Sequence, residues 1–109
     1  MNVTVHAPEK PSFVVLSTFT SAPELRQKFV ALMSEFIETG VWLQPGLHSV
    51  EVFTDETGAQ IVTLVKWQDR ASFERFKQSE AGRNAATFGL ALQPRVQFLR
   101  PEGAFTKEK

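Results

Sequence analysis

A chain of 109 residues carrying twelve basic against twelve acidic side chains is sized for one domain around one core, and its cancelled charge lacks the clustered basic footprint that grips nucleic acid or an anionic membrane. Cysteine is absent, which excludes disulfides, thiolate metal sites and a cysteine nucleophile and is compatible with a cytoplasmic setting. Ten Phe and two Trp stand beside no Tyr, so aromatic surface is plentiful while the phenolic hydroxyl that often does acid–base work is missing.

Residues 1–11, MNVTVHAPEKP, read as an N-terminal arm without the basic n-region and apolar h-region of a secretory signal. No run in the chain approaches the length that spans a bilayer, so no membrane partner is expected. The folded domain is expected over 12–100. It opens with Ser12 to Phe19 (SFVVLSTF), a β-branched, apolar strand bounded by Pro11, with Phe13, Val15, Ser17 and Phe19 on one face and Val14, Leu16 and Thr18 on the other. Ser21-Ala-Pro-Glu24 matches a capping box, in which the Ser oxygen and the Glu carboxylate each satisfy a free backbone donor. A helix is expected to start there. Leu25, Phe29, Leu32, Met33, Phe36 and Ile37 then recur as one apolar stripe that calls for packing against a sheet, until Gly40 ends it.

Gln44-Pro45-Gly46 signals a turn, and Leu47 to Thr54 a strand that reverses through Asp55-Glu-Thr-Gly58 into the next strand, beginning at Gln60. That strand runs through Ile61, Thr63 and Val65 to Trp67 on one face, with Val62, Leu64 and Lys66 on the other. Asp69 is then an N-cap, its carboxylate able to accept from the free N–H groups of the following turn, which puts Phe73 and Phe76 on one helical face. Ser79 can cap another helix, but Gly82 and Gly89 predict a break or an irregular stretch before Leu92. Gln93 to Arg100 reads as the last strand, with Pro94 placing its start at an edge. Residues 101–109 are expected to form a C-terminal tail, polar apart from Phe105 and mobile unless a partner holds it.

The order β, α, β, β, α, β is that of the split βαβ unit. It predicts an α+β, ferredoxin-like fold in which a four-stranded antiparallel sheet carries its helices on one face. The opposite face would then leave Val62, Leu64 and one set from the first strand without a second layer. Exposure costs about 1.5–3 kcal/mol for each large apolar side chain, so a homodimer through the sheet face is expected. On this reading Lys66 points to the dimer interface.

The opening strand, the long helix, the Pro45-Gly46 turn, the charged reversal, and Lys66-Trp67 followed by Asp69-x-x-Ser72-Phe73 together resemble the antibiotic biosynthesis monooxygenase domain, a family of dimeric α/β barrels, over about residues 12–100. The resemblance implies a small oxygenase that oxidises an aromatic or quinol-type molecule with dioxygen and without metal, flavin or other cofactor. Trp67 corresponds to the pocket Trp of such oxygenases. Thr63 stands where they carry Asn and Phe73 where some carry Tyr, and both changes remove hydrogen-bonding capacity. Haem-degrading relatives use a helix His after the Trp, and the stretch from Asp69 to Leu92 has none.

Chemistry of that kind needs walls for flat rings, a group to stabilise an anion, and exclusion of water. Trp67, Phe36, Phe73 and Phe76 are the candidate walls, with Ser17 as a further substrate contact. Thr63, Arg83 and His48 are the candidates beside Trp67 for anion stabilisation or proton transfer. Each has a plainer reading: Trp67 as a pocket wall, His48 as a surface residue near a turn, Arg83 as decoration of a loose helix. Two other functions stay open on the same scaffold, a non-oxygenase small-molecule enzyme such as an isomerase or cyclase, and a ligand-binding dimer without catalysis. No His/carboxylate spacing suits a metal, and no Ser-His-Asp order or phosphate loop can be assembled.

Overall fold

The computed structural model of the protein describes residues 2–6, 11–92 and 94–108. Its strands are β1 (Asn2–His6), β2 (Phe13–Thr20), β3 (Leu47–Thr54), β4 (Gln60–Trp67), β5 (Arg95–Leu99) and β6 (Ala104–Glu108), and its helices are α1 (Arg26–Thr39), α2 (Arg70–Gln78) and α3 (Glu80–Leu92). The main sheet has the order β3-β4-β2-β5 with every pair antiparallel. That is the ferredoxin-like α+β arrangement expected from the alternation of the strands.

Register fixes which side chains share a face, because successive residues of a strand point to opposite sides. Phe13 pairs with Trp67, Val15 with Val65, Ser17 with Thr63 and Phe19 with Ile61. These residues form the helix-covered face, where Phe13, Val15, Trp67 and Phe73 make the buried cluster and Val41, Leu47, Val65 and Phe76 pack around it. Phe13, Phe73 and Phe98 add a mutual aromatic triangle with centroids 5.4–5.6 Å apart. Val14, Leu16, Thr18, Val62, Leu64 and Lys66 belong to the other face, where Lys66 Nζ lies 3.6 Å from Glu51 on the neighbouring strand.

Local sequence accounts for most of the boundaries. In the β3–β4 reversal, Asp55 Oδ1 accepts from the Gln60 N–H at 3.1 Å and Oδ2 from the Thr57 hydroxyl at 3.0 Å. These bonds hold the carboxyl below its usual range: Gln60 contributes most, Thr57, Gly58 and Ala59 assist, and desolvation opposes them. At the start of α2, Asp69 Oδ1 accepts from Ser72 N at 2.8 Å and from Ser72 Oγ at 2.7 Å, the capping geometry expected for Asp69.

Three local expectations are corrected. Ser21 and Glu24 do not form a capping box: the chain enters a short 3-10 turn at Pro23–Leu25 behind Ala22, with no side-chain cap, and α1 begins only at Arg26. The stretch after Ser79 is one unbroken helix, α3, despite its glycines. Ser79 Oγ caps it by accepting from Gly82 N at 3.0 Å, and a β-carbon at position 82 would collide with the Phe76 carbonyl, so this glycine lets α3 start tightly against the end of α2. The tail, for which no strand is expected, forms one over 104–108, where β6 pairs with β1 from Asn2↔Glu108 to His6↔Ala104 as a separate two-stranded ribbon. The β-branched run Val3-Thr4-Val5 suits that extended backbone. Gln93, the expected start of the last strand, lies outside the described residues.

Among the described residues no helix is long and apolar enough to cross a membrane.

Candidate functional site

Between the helix-covered sheet face and the three helices lies a cavity of about 450 Å³. Val15, Ser17 and Phe19 of β2 and Thr63, Val65 and Trp67 of β4 form its floor. Met33, Phe36 and Ile37 of α1, Phe73, Phe76 and Lys77 of α2, and Ala85, Ala86 and Phe88 of α3 form its walls. Alternation on two adjacent strands delivers the floor, and the apolar stripe of α1 and the 73/76 pair of α2 deliver most of the walls.

Trp67 is the most constrained of these residues. It is 1 % exposed, and its ring sits 5.2 Å from Phe76 and 6.2 Å from Phe73, centroid to centroid. The junction that follows is locked from two sides. Gln68 N donates to the Gly46 carbonyl at 2.7 Å, and Arg75 Nη2 donates to Ser72 Oγ at 3.2 Å behind the Asp69 cap. The indole Nε1–H is buried and has no hydrogen-bond partner. A buried donor left unpaired costs about 1–3 kcal/mol, and this one belongs to a ring that lines the cavity, although the nitrogen itself is closed to water.

Ser17 and Thr63 form the second polar spot. They are directly opposed in the β2–β4 register, which puts their β-carbons roughly 5 Å apart, and neither hydroxyl has a partner among the described residues. Thr63 precedes Trp67 by four residues on the same strand face, a separation of about 13 Å at 3.3 Å per residue. The cavity floor therefore carries a hydroxyl pair toward one end and the Trp67 indole toward the other, with apolar surface between.

Six of the expected site residues meet in this cavity: Trp67, Thr63, Ser17, Phe36, Phe73 and Phe76. Arg83 and His48 do not line it. Arg83 is exposed in the first turn of α3, and its Nη1 donates to the Gln78 carbonyl at 2.5 Å, so it closes the end of α2. His48 is exposed at a β-bulge: Leu47 faces Trp67 and Ser49 faces Lys66, which leaves residue 48 as the extra, unpaired position. Sequence reasoning missed Lys77, the one charged residue on the described lining. Its place one turn beyond Phe73 on the same helix was the available signal.

Among the described residues no group of three or more His, Cys, Asp or Glu side chains could hold a metal ion, and no carboxylate, imidazole or guanidinium lines the cavity.

Solved structures share this architecture. A monooxygenase from the gene ActVA-Orf6 of Streptomyces coelicolor, in complex with nanaomycin D, superposes with a TM-score of 0.73 at 22% identity, over 89% of this chain and 93% of its own. A conserved protein from Methanosarcina mazei Go1 gives 0.74 at 16% identity over 87% and 97%. SnoaB, a cofactor-independent oxygenase from Streptomyces nogalater, gives 0.65 at 19% identity over 84% and 93%. These likenesses establish the fold. No curated protein matches the chain in sequence. The model of the antibiotic biosynthesis monooxygenase family matches residues 12–87, a span that runs from β2 into α3 and holds almost all of the cavity lining, and the chain belongs to that family.

Proposed function

We propose that the protein is a cofactor-independent monooxygenase that oxidises a flat, quinol- or anthrone-type aromatic molecule in the cavity beside Trp67. The observation that carries this reading is an apolar, aromatic-walled cavity lined by Trp67, whose buried indole N–H is unpaired. A donor left unpaired beside apolar walls has a use when oxygen-centred charge develops within its reach, where a low dielectric makes its contribution larger than in water. Two structurally similar proteins described as a monooxygenase and a cofactor-independent oxygenase support the reading.

The chemistry assigns the protein a modest part. An electron-rich phenol, once ionised, can pass an electron to dioxygen without a cofactor. The resulting pair combines into a C–O bond, and loss of water from the hydroperoxide leaves a carbonyl. A ring methylene and O₂ thus become C=O and H₂O, with the substrate supplying all the electrons. The cavity's residues hold the rings between Phe36, Phe73, Phe76 and Trp67, donate from Trp67 Nε1, offer the Ser17 and Thr63 hydroxyls to a second oxygen, and keep water out. With no carboxylate or imidazole among the described lining residues, the substrate on this reading is one that ionises readily by itself.

The working unit on this reading is a homodimer formed through the outer sheet face. Phe53 and Leu99 are 49% and 40% exposed, and by register they flank Val62 and Val14 respectively on that face. Large apolar side chains exposed on one sheet face favour a self-complementary partner. The β1–β6 ribbon, a type of unit that is marginal in water by itself, offers Phe105, 74% exposed, as further surface.

Oxygen uptake with a panel of anthrones and hydroquinones tests the activity. Uptake of one O₂ per carbonyl formed, abolished by heat denaturation, is the expected result. Tight binding without any uptake across the panel would instead make the protein a binding module.

A further inference from the structure

Lys77 is the one charged side chain on the described lining of the cavity. It lies in the last turn of α2 and is 47% exposed, so its stem borders the cavity while its head reaches water. Two contacts fix the ammonium: it stands 5.1 Å from the centroid of the Phe73 ring and 3.1 Å from Glu74 Oε2. Glu74 is one turn back on the outer surface of α2, where Arg70 Nε also approaches it at 3.8 Å. Glu74 is not on the described lining, so Lys77, though paired with it, is the one full charge that the lining carries.

We propose that Lys77 makes the cavity selective for a monoanion, a planar aromatic whose carboxylate or phenolate lies at the mouth against the ammonium while its rings lie over Phe73 and Trp67. This rests on the reading of the cavity as an aromatic-binding site and adds the charge of the ligand. An ammonium beside low-dielectric aromatic walls attracts an anion more strongly than it would in open water, and its hold on Phe73 and Glu74 reduces the freedom lost on binding. Ser17, Thr63 and Trp67 carry no net charge, so among the described residues Lys77 is the group on the lining whose attraction to an anion is a full Coulombic one.

The test uses two probes of nearly equal shape, 9-anthracenecarboxylate and 9-anthracenemethanol, with binding to the full chain followed by anthracene emission. Wild type is expected to bind the carboxylate about tenfold more tightly at low salt, as a charge-assisted contact implies, with the preference shrinking as salt rises. Lys77→Met should equalise the two by weakening the carboxylate alone, Lys77→Arg should keep the preference, and Lys77→Glu should reverse it. Lys77 is half exposed, so these variants should fold, and circular dichroism checks that. Equal affinity in wild type, or a preference that survives Lys77→Met, overturns the proposal and leaves the aromatic site standing. Failure of both probes to bind wild type overturns the aromatic site and this proposal together.

Discussion

Gly46 packs directly onto Ser72: a β-carbon on residue 46 would overlap the Ser72 hydroxyl, and the backbone there has φ of +83°. This contact joins the turn before β3 to the first turn of α2, and with the Gln68 N–H to Gly46 carbonyl bond it sets where α2 leaves Trp67. Gly46→Ala meets both a disfavoured φ, worth about 1–2 kcal/mol, and a collision with a buried residue. A combined loss of roughly 2–4 kcal/mol is expected in urea unfolding at unchanged m-value. A loss under about 0.5 kcal/mol, the range of a neutral surface change, would show that the turn does not clamp the junction.

Trp67→Phe separates the indole N–H from the ring. Stability should change little, by under about 2 kcal/mol, because relief of an unpaired buried donor offsets lost packing. Affinity for a carbonyl-bearing aromatic should drop about fivefold, while that for a hydrocarbon of the same shape stays level. Turnover in the oxygen assay should fall at least tenfold, in the range of losing one donor aimed at developing charge. Unchanged turnover would remove Trp67 from the chemistry and leave it as a wall.

The hydroxyl pair on the cavity floor can be removed without changing its shape much. Ser17→Ala with Thr63→Val deletes two unpaired polar groups from an apolar surface, so the protein should keep or gain stability, by up to about 1 kcal/mol. Binding of ligands with oxygens at both ends should weaken, and ligands with a single oxygen should bind as before. Calorimetric titration of such a pair of ligands measures the difference. A uniform effect on both would mean that the hydroxyls do not contact ligand.

Asp55 carries a pH dependence of stability. Its carboxyl titrates lower in the folded chain than in the unfolded one, mainly through the Gln60 N–H. The stabilisation is therefore fully present above the unfolded value of about 3.9 and is lost as pH falls through the folded one. Asp55→Ala should melt below wild type at pH 7, and the gap should close progressively under about pH 3.9. A gap that is constant with pH would assign the effect to turn geometry alone.

Local rules carried much of the sequence reading because they act over a few residues. Alternation from Phe13 to Phe19 and from Ile61 to Trp67 put Ser17, Thr63, Val65 and Trp67 on one face, and Asp69 announced a helix that places Phe73 and Phe76 above them. Those patterns determine the elements, their order and the aromatic character of the site.

Other features depended on contacts between segments distant in the chain. The glycines of α3 look like breakers in isolation, yet position 82 is small because the Phe76 carbonyl presses on it. Ser21 and Glu24 match a capping box, but the chain turns through Pro23–Leu25 and starts α1 later. A bulge excludes His48 from the cavity and a carbonyl of the preceding helix holds Arg83 outside, while Lys77 is brought to its lining by the seating of α2. Propensity and periodicity settle what each segment becomes. Which charged side chain reaches an enclosed space is decided by register, bulges and helix docking, which follow from packing energies summed over the whole fold.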